Sequence, residues 1–292
     1  MRRPSPLSRS LRESLTFMPM SDTLDLDLYF ARIGYQGPRA ATLAVLGELH
    51  RLHPLAIPFE NLDPLTGRTV SLELPAIVDK LVVRRRGGYC FEQNTLLAHV
   101  LMQLGFRVTP LIARVLWGAD AGAVTARSHM VLRVEADDTA WFADVGFGSV
   151  TLTTPLRLEA GMPQRTPLEA FRFADASHGA LDLEVQSRDS WAKVYRFDLR
   201  RVEWIDYEVS NWYTSTWPQS KFVNNLIVCR VLPHGRLVLH NRRLIERAAN
   251  GEVVSEHVLD DAGELALCLG ERFGLAVGEL DLPGLFERLP QQ

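Results

Sequence analysis

Arg84-Arg85-Arg86-Gly87-Gly88-Tyr89-Cys90-Phe91-Glu92-Gln93-Asn94 is the stretch on which both fold and chemistry turn. Two glycines precede a cysteine, and the cysteine opens a segment whose apolar residues Phe91, Leu97, Leu101 and Leu104 fit a helix closed by Gly105. The glycines permit a tight turn and leave space for a substrate. A helix start brings unpaired N–H groups and partial positive charge to whatever sits there. A thiol so placed is favoured as thiolate, the nucleophilic form. This local context leaves two readings of Cys90 open: a reactive thiol, or a small buried hydrophobe.

Upstream of this stretch the pattern is helical from Ser21. Ser21 and Asp22 can cap a helix carrying Leu24, Leu28 and Ala31 and ended by Gly34. Leu43, Leu46, Leu49 and Leu52 make a second stripe that Pro54 should stop, and Pro75 suits a third helix start. Downstream of Phe106 the texture changes to strand. Val108 to Trp117, His129 to Val134 and Ala140 to Val145 read as strands, the last two joined through a tight turn at Asp137-Asp138. Leu181 to Val185 and Trp191 to Leu199 alternate likewise, whereas residues 200–221 read as irregular. Strands over Asn225 to Leu232 and Arg236 to His240, then a helix capped by Asp260 and closed by Gly274, complete the chain. The expectation is a helical unit over 21–105, an antiparallel sheet or barrel over 106–215 and a mixed α/β unit over 216–292.

Composition bounds the possibilities. The chain has 292 residues, 32.9 kDa, 47% apolar residues and a formal net charge of −3. These are the proportions of a globular protein with room for two or three packed units. The near-neutral balance speaks against nucleic acid or an anionic membrane as main partner. Residues 1–20 hold Arg2, Arg3, Arg9 and Arg12 with one acid, Glu13, and no apolar run long enough for a secretory signal. They read as a disordered tail or an upstream start, since Met18 and Met20 could each begin translation. No segment approaches a membrane span, so the expected location is cytoplasmic. Only three cysteines occur, at 90, 229 and 268. They are too few for a disulfide framework or a four-cysteine zinc site. Cys229 and Cys268 lie in apolar runs and read as core. No paired ligands at i, i+4 suggest any other metal.

A nucleophilic cysteine needs a base, and the base needs an orienting partner. Of eight histidines, His50 and His53 read as surface or C-cap residues near Pro54. His178 and His234 fall in turns, and His99 lies nine residues along the Cys90 helix, out of reach. His240 and His257 are less easily dismissed. His129 follows Ser128 at a strand start, and the hairpin through Asp137-Asp138 places it opposite residues 144–146. Asp144 and His129 therefore face one another, either as a structural pair or as base and orienter. Val145-Gly146-Phe147-Gly148 after Asp144 suggests a loop of close approach with one aromatic aimed at a pocket, or a plain glycine turn. A GxGxxG phosphate cradle is absent.

The combination of RGGYCFEQN (86–94), Ser128-His129 on a strand, DVGFG (144–148) and Ile57-Pro58-Phe59-Glu60-Asn61 resembles the arylamine N-acetyltransferases over about residues 21–290. The spacing fits too, with 39 residues from Cys90 to His129 and 15 more to Asp144. The resemblance implies an α+β fold: an N-terminal helical bundle, a central antiparallel β-barrel and a C-terminal α/β lid around a cysteine-protease-like Cys-His-Asp core. It implies acetyl-CoA as co-substrate, an aromatic amine or hydrazine as acceptor, and no metal. Cys90, His129 and Asp144 match the family's catalytic triad, and Glu60 and Arg86 match an ion pair supporting the cysteine loop. Phe59, Val115, Trp117 and Phe147 match positions lining the acceptor pocket, and Ser128, Gly146, Gly148 and Phe222 match positions near the pantetheine arm. Tyr89 stands where some members have Trp. The competing readings are a thiol hydrolase, an amide synthase of the same fold, and a catalytically silent binding protein; the sequence leaves the oligomeric state open.

Overall fold

The computed structural model describes residues 23–120, 122–187 and 190–290, and the tail expected over 1–20 lies outside these. Two helices open the described chain, α1 (Leu26–Ile33) and α2 (Leu43–Ala56). The short strand β1 (Phe59–Glu60) and helices α3 (Leu62–Leu65) and α4 (Leu74–Val78) follow. A π-type turn over Asp79–Val83 then leads into the cysteine loop and α5 (Cys90–Gln103). Eight strands come next: β2 (Arg107–Val115), β3 (Arg127–Ala136), β4 (Thr139–Ala143), β5 (Leu156–Arg157), β6 (Gln164–Arg165), β7 (Ala170–Asp175), β8 (Leu181–Ser187) and β9 (Ser190–Phe197). They form one antiparallel, barrel-like sheet in the order β5-β4-β3-β2-β9-β8-β7-β6. Helices α6 (Trp204–Thr216) and α7 (Lys221–Asn224) connect it to a second sheet. That sheet runs β1-β10-β11-β12-β13, with β10 (Ile227–Leu232), β11 (Gly235–His240), β12 (Arg243–Ala248) and β13 (Val253–Val258). Helices α8 (Ala262–Leu267) and α9 (Leu282–Arg288) close the chain. The fold is thus α+β.

Three buried apolar clusters hold it together. The first joins the N-terminal helices to one face of β3 around Tyr29, Leu46, Phe91 and Met130. The second fills the C-terminal sheet and its helices around Leu226, Leu239, Leu269 and Phe286. The third is the barrel interior, with Phe142, Phe171, Phe173 and Tyr195 fully buried. Alternation along β3 therefore separates residues facing the helices (Met130, Leu132, Val134) from Val131 in the barrel.

Several local expectations change. The first helix begins later, capped by Asp25, whose Oδ1 accepts the Asp27 N–H at 2.9 Å. Helix α2 runs through Pro54 to Ala56. The proline removes one donor, but the Ile57 N–H still closes the last turn on the His53 carbonyl at 2.8 Å. Residues 200–221, read as irregular, contain α6. Its sequence is rich in aromatic and β-branched residues of modest helix propensity. Tertiary contact supplies what propensity lacks, since Tyr207, Asn211 and Ser215 are buried. The strands β12 and β13 were not anticipated: β13 is exposed along its length and so carries no apolar alternation. The helix expected to start at Asp260 is α8, capped instead by Asp261, whose Oδ1 accepts the Glu264 N–H at 2.8 Å. The Asp137-Asp138 turn is as expected, with both residues at positive φ.

Candidate active site

Cys90 is the first residue of α5 and only 4% exposed. Its loop is held from several sides. The Tyr89 N–H donates to Glu92 Oε2 at 3.0 Å, and the Tyr89 hydroxyl donates to Asn211 Oδ1. Gln93 Nε2 donates to the Pro58 and Gly88 carbonyls at 2.9 and 3.1 Å. The two glycines are there for closeness: a Cβ on Gly87 would sit 2.2 Å from the Pro58 carbonyl oxygen.

His129 reaches this loop from β3, and Asp144 from the residue after β4. The strands pair Leu132 with Ala143, so the hairpin brings the two side chains together, and His129 Nε2 lies 2.8 Å from Asp144 Oδ2. The Cys90 sulfur lies near enough to the imidazole to favour its charged form. The thiol itself lies 3.6 Å from the Ser128 carbonyl oxygen. The cysteine, histidine and aspartate thus form one buried chain of contacts.

The carboxylate of Asp144 is fully buried yet well served. Besides His129 it accepts from Asn94 Nδ2, the Tyr195 hydroxyl and the Gly146 N–H, each at 2.9 Å. Burial by itself would raise its pKa, but His129 and these donors outweigh it and hold the carboxyl below the ordinary range. Burial likewise works against the His129 cation. The Asp144 carboxylate and the Cys90 sulfur reverse that and hold the imidazolium well above the usual histidine range. This is an environment that favours the charged imidazolium over the neutral ring.

Asn94, Tyr195, His50 and His53 were not anticipated in these roles. His50 and His53, expected at the surface, are both 0% exposed. His50 Nε2 accepts the Asp144 backbone N–H at 3.1 Å, and burial pushes this histidine down to about 4. His53 lies 2.8 Å from the Tyr29 hydroxyl and 2.6 Å from Gln93 Oε1, and burial pushes it down to about 3. Both are neutral props; His53 has a polar partner at each ring nitrogen and His50 at Nε2. His257 instead contacts Glu264 at the surface of the C-terminal sheet.

Glu60 and Arg86 do pair, at 2.7 and 3.0 Å, within a larger buried cluster. Arg86 also reaches Asp63 at 3.2 Å, and Lys80 Nζ lies 2.5 Å from Asp63 and 2.7 Å from Glu92. Three carboxyl groups thus share two cations. Burial, with Glu60 nearby, raises Glu92 to about 7 even though Lys80 pulls it down.

The remaining expected residues occupy varied places. The Phe147 ring stands edge-on to His129 at 5.1 Å and packs on Tyr195 at 5.3 Å. Phe59 and Phe222 meet at 5.9 Å, and Phe222 meets Tyr89 at 5.8 Å. Val115 is the register partner of Tyr195. Trp117 lies beyond the end of β2, 36% exposed, its N–H bonded to the Val194 carbonyl at 2.9 Å. Ser128 contributes the carbonyl beside the sulfur. Gly146 lies against the start of α5, where an added Cβ would be 2.7 Å from the Cys90 Cα. Gly148 takes φ +94° beside Phe59 and Cys229. Cys229 and Cys268 are buried, and burial raises them to about 12 and 11. Among the described residues, no group of three or more His, Cys, Asp or Glu could hold a metal, and no helix is long and apolar enough to cross a membrane.

A buried cysteine on a helix start, beside a histidine paired with an aspartate, fits a thiol-dependent acyl-transfer enzyme. Comparison with known proteins makes this specific. A family model described as N-acetyltransferase matches residues 42–282. The chain is 42% identical to the arylamine N-acetyltransferase of Mycobacterium bovis, covering 90% of this chain and 94% of the relative. It is 40% identical to that of Escherichia coli, covering 87% and 90%. The solved structure of the Mycobacterium marinum arylamine N-acetyltransferase in complex with CoA superimposes with a TM-score of 0.88 at 40% identity, covering 91% of this chain and all of the other. The chain belongs to the arylamine N-acetyltransferase family.

Proposed function

We propose that the chain moves an acetyl group from acetyl-CoA to an aromatic amine or hydrazine in two half-reactions through a thioester on Cys90. The observation that carries this reading is the contact chain from Cys90 through His129 to Asp144. Family membership supports the donor and acceptor classes over the hydrolase and amide synthase alternatives.

His129 takes the thiol proton, and Asp144 fixes the ring and balances its charge. The thiolate attacks the acetyl carbonyl of acetyl-CoA, and backbone N–H groups at the start of α5, that of Cys90 included, face the developing oxyanion. Collapse breaks the carbon–sulfur bond to CoA, which leaves with the proton from His129. The amine then attacks the Cys90 thioester, its proton passes to His129, and the cysteine is expelled as thiolate. One thioester replaces another in the first half, so that step is nearly balanced and reversible. An arylamine is largely unprotonated at neutral pH, so it needs an activated acyl group more than a strong base.

Phe59, Phe147, Val115 and Trp117 are assigned to the acceptor side, where Phe147 packed on His129 sets an apolar wall beside the reacting atoms. Ser128, Gly146, Gly148 and Phe222 are assigned to the pantetheine arm. In this reading residues 21–105 form the helical unit with the nucleophile, 106–215 the barrel with base and orienter, and 216–292 a lid, in a cysteine-protease-like arrangement. The 215/216 boundary falls at the last turn of α6. A reducing, cytoplasmic setting suits three free cysteines. Rapid mixing with acetyl-CoA and no amine tests the two-step order. The expected result is a burst of one free CoA per chain, and CoA release that waits for the amine would reject it.

A further inference from the structure

On the side of the molecule formed by α1, the cysteine loop and β10, a cavity of about 350 Å³ is lined by Arg32, Arg85 and Arg230 with Leu52, Leu55 and Phe273. No carboxylate lines it. Arg32 is only 7% exposed, and its guanidinium is incompletely used. Nε donates to the Leu81 carbonyl at 2.9 Å and Nη1 to the Ala56 carbonyl at 2.7 Å, whereas the buried Nη2 has no hydrogen-bond partner. Arg230 donates to two carbonyls, of Arg272 at 3.0 Å and Leu55 at 3.4 Å, and carries no ion pair among the described residues. Arg84 beside the cavity is different: Asp79 and Glu279 neutralise it. Arg85 has φ +53°, in the left-handed region that a long side chain rarely takes.

Three like charges around one cavity repel one another. Burial, Arg85 and Arg230 together push Arg32 down to about 10. A buried donor left unbonded costs free energy, and so does an uncompensated charge. The charge penalty falls if an anion occupies the cavity, and guanidinium forks match the oxygens of a tetrahedral oxyanion.

We propose that Arg32, Arg85 and Arg230 form an oxyanion site, for inorganic phosphate or the phosphate group of a monoester, separate from the acyl-transfer cleft. The site joins the helical N-terminal part of the chain, the loop preceding Cys90 and the C-terminal sheet, so its occupant ties all three together. Binding adds stability by mass action, because the unfolded chain offers no such cluster.

The test is calorimetric titration of the whole protein with inorganic phosphate and, separately, glycerol phosphate at constant ionic strength. The parallel variants are Arg85→Ala, in an exposed loop, and Arg230→Gln; Arg32 is left intact because its carbonyl bonds hold α1. Saturable binding that weakens roughly tenfold or more in both variants is expected, with the stronger of the two ligands identifying the source. The acetyl-CoA KM and the acetylation rate should stay at wild-type values in both. No saturation below about 10 mM, or binding unchanged in the variants, overturns the proposal. A raised KM for acetyl-CoA in either variant would place the arginines in the donor cleft and overturn it equally.

Discussion

Gly146→Ala perturbs the contact between the Asp144 loop and the start of α5 with a single methyl group. The added Cβ would lie 2.7 Å from the Cys90 Cα, 3.1 Å from Gln93 Cβ and 3.1 Å from Asn94 Nδ2. Carbon atoms pack at about 3.5–4.0 Å, so loop and helix must separate by about 1 Å. The Cys90 Cα is backbone within a buried helix and has little freedom to move. The Gly146 N–H also donates to Asp144 Oδ1 at 2.9 Å, so displacing residue 146 moves the carboxylate that orients His129. A misplacement of that size in a reacting constellation costs about 100-fold in rate, and overpacking costs about 1–3 kcal/mol in stability. The assay is the single-turnover rate of Cys90 acetylation by acetyl-CoA, followed by intact mass, alongside a thermal melt. Gly47→Ala is the control, since a Cβ at this α2 position meets nothing within 4 Å. A wild-type acetylation rate and an unchanged melting temperature in Gly146→Ala would refute the reasoning.

Other expectations follow from the same geometry. Cys90→Ser should abolish transfer, because a hydroxyl is not ionised by this histidine to a comparable extent; substantial residual turnover would count against the thiol as nucleophile. Asp144→Asn should lower activity by orders of magnitude through the wrong His129 tautomer, and near-normal rates would reject its orienting role. Arg86→Gln leaves Glu60 buried without its main partner and should cost about 3–5 kcal/mol, read as a lower melting temperature that Glu60→Gln partly restores. Glu92 is raised from 4.5 to about 7 in the folded chain. Its contribution is therefore fully present below pH 4.5 and is lost as pH rises towards 7, by about 3 kcal/mol. Glu92→Gln should flatten that part of the stability–pH curve, and an unchanged slope would show that another group sets it.

The sequence was most informative where chemistry and backbone constraint coincide. The glycine pair before Cys90 marked a close approach, and the Asp137-Asp138 turn fixed the hairpin register that brings His129 to Asp144. What stayed hidden depends on tertiary contact. Gln93 and Asn94 stand in plain view after the cysteine, but only the fold shows that one anchors the loop and the other Asp144. Tyr195 looked like one more aromatic in an alternating strand, and its hydroxyl partner lies 51 residues away. His50 and His53 were misread because a histidine beside a proline gives no hint of buried hydrogen-bond partners. Helix α6 lacked propensity and β13 lacked burial, the two signals that sequence periodicity measures.

The central claim is that Cys90 carries the acetyl group. Intact-mass analysis after incubation with acetyl-CoA and no acceptor, followed by peptide mapping, tests it directly. The account predicts one acetyl adduct per chain on Cys90, discharged by an arylamine and absent in Cys90→Ser. Transfer to the amine with no adduct, or with the acetyl group on any other residue, would contradict it.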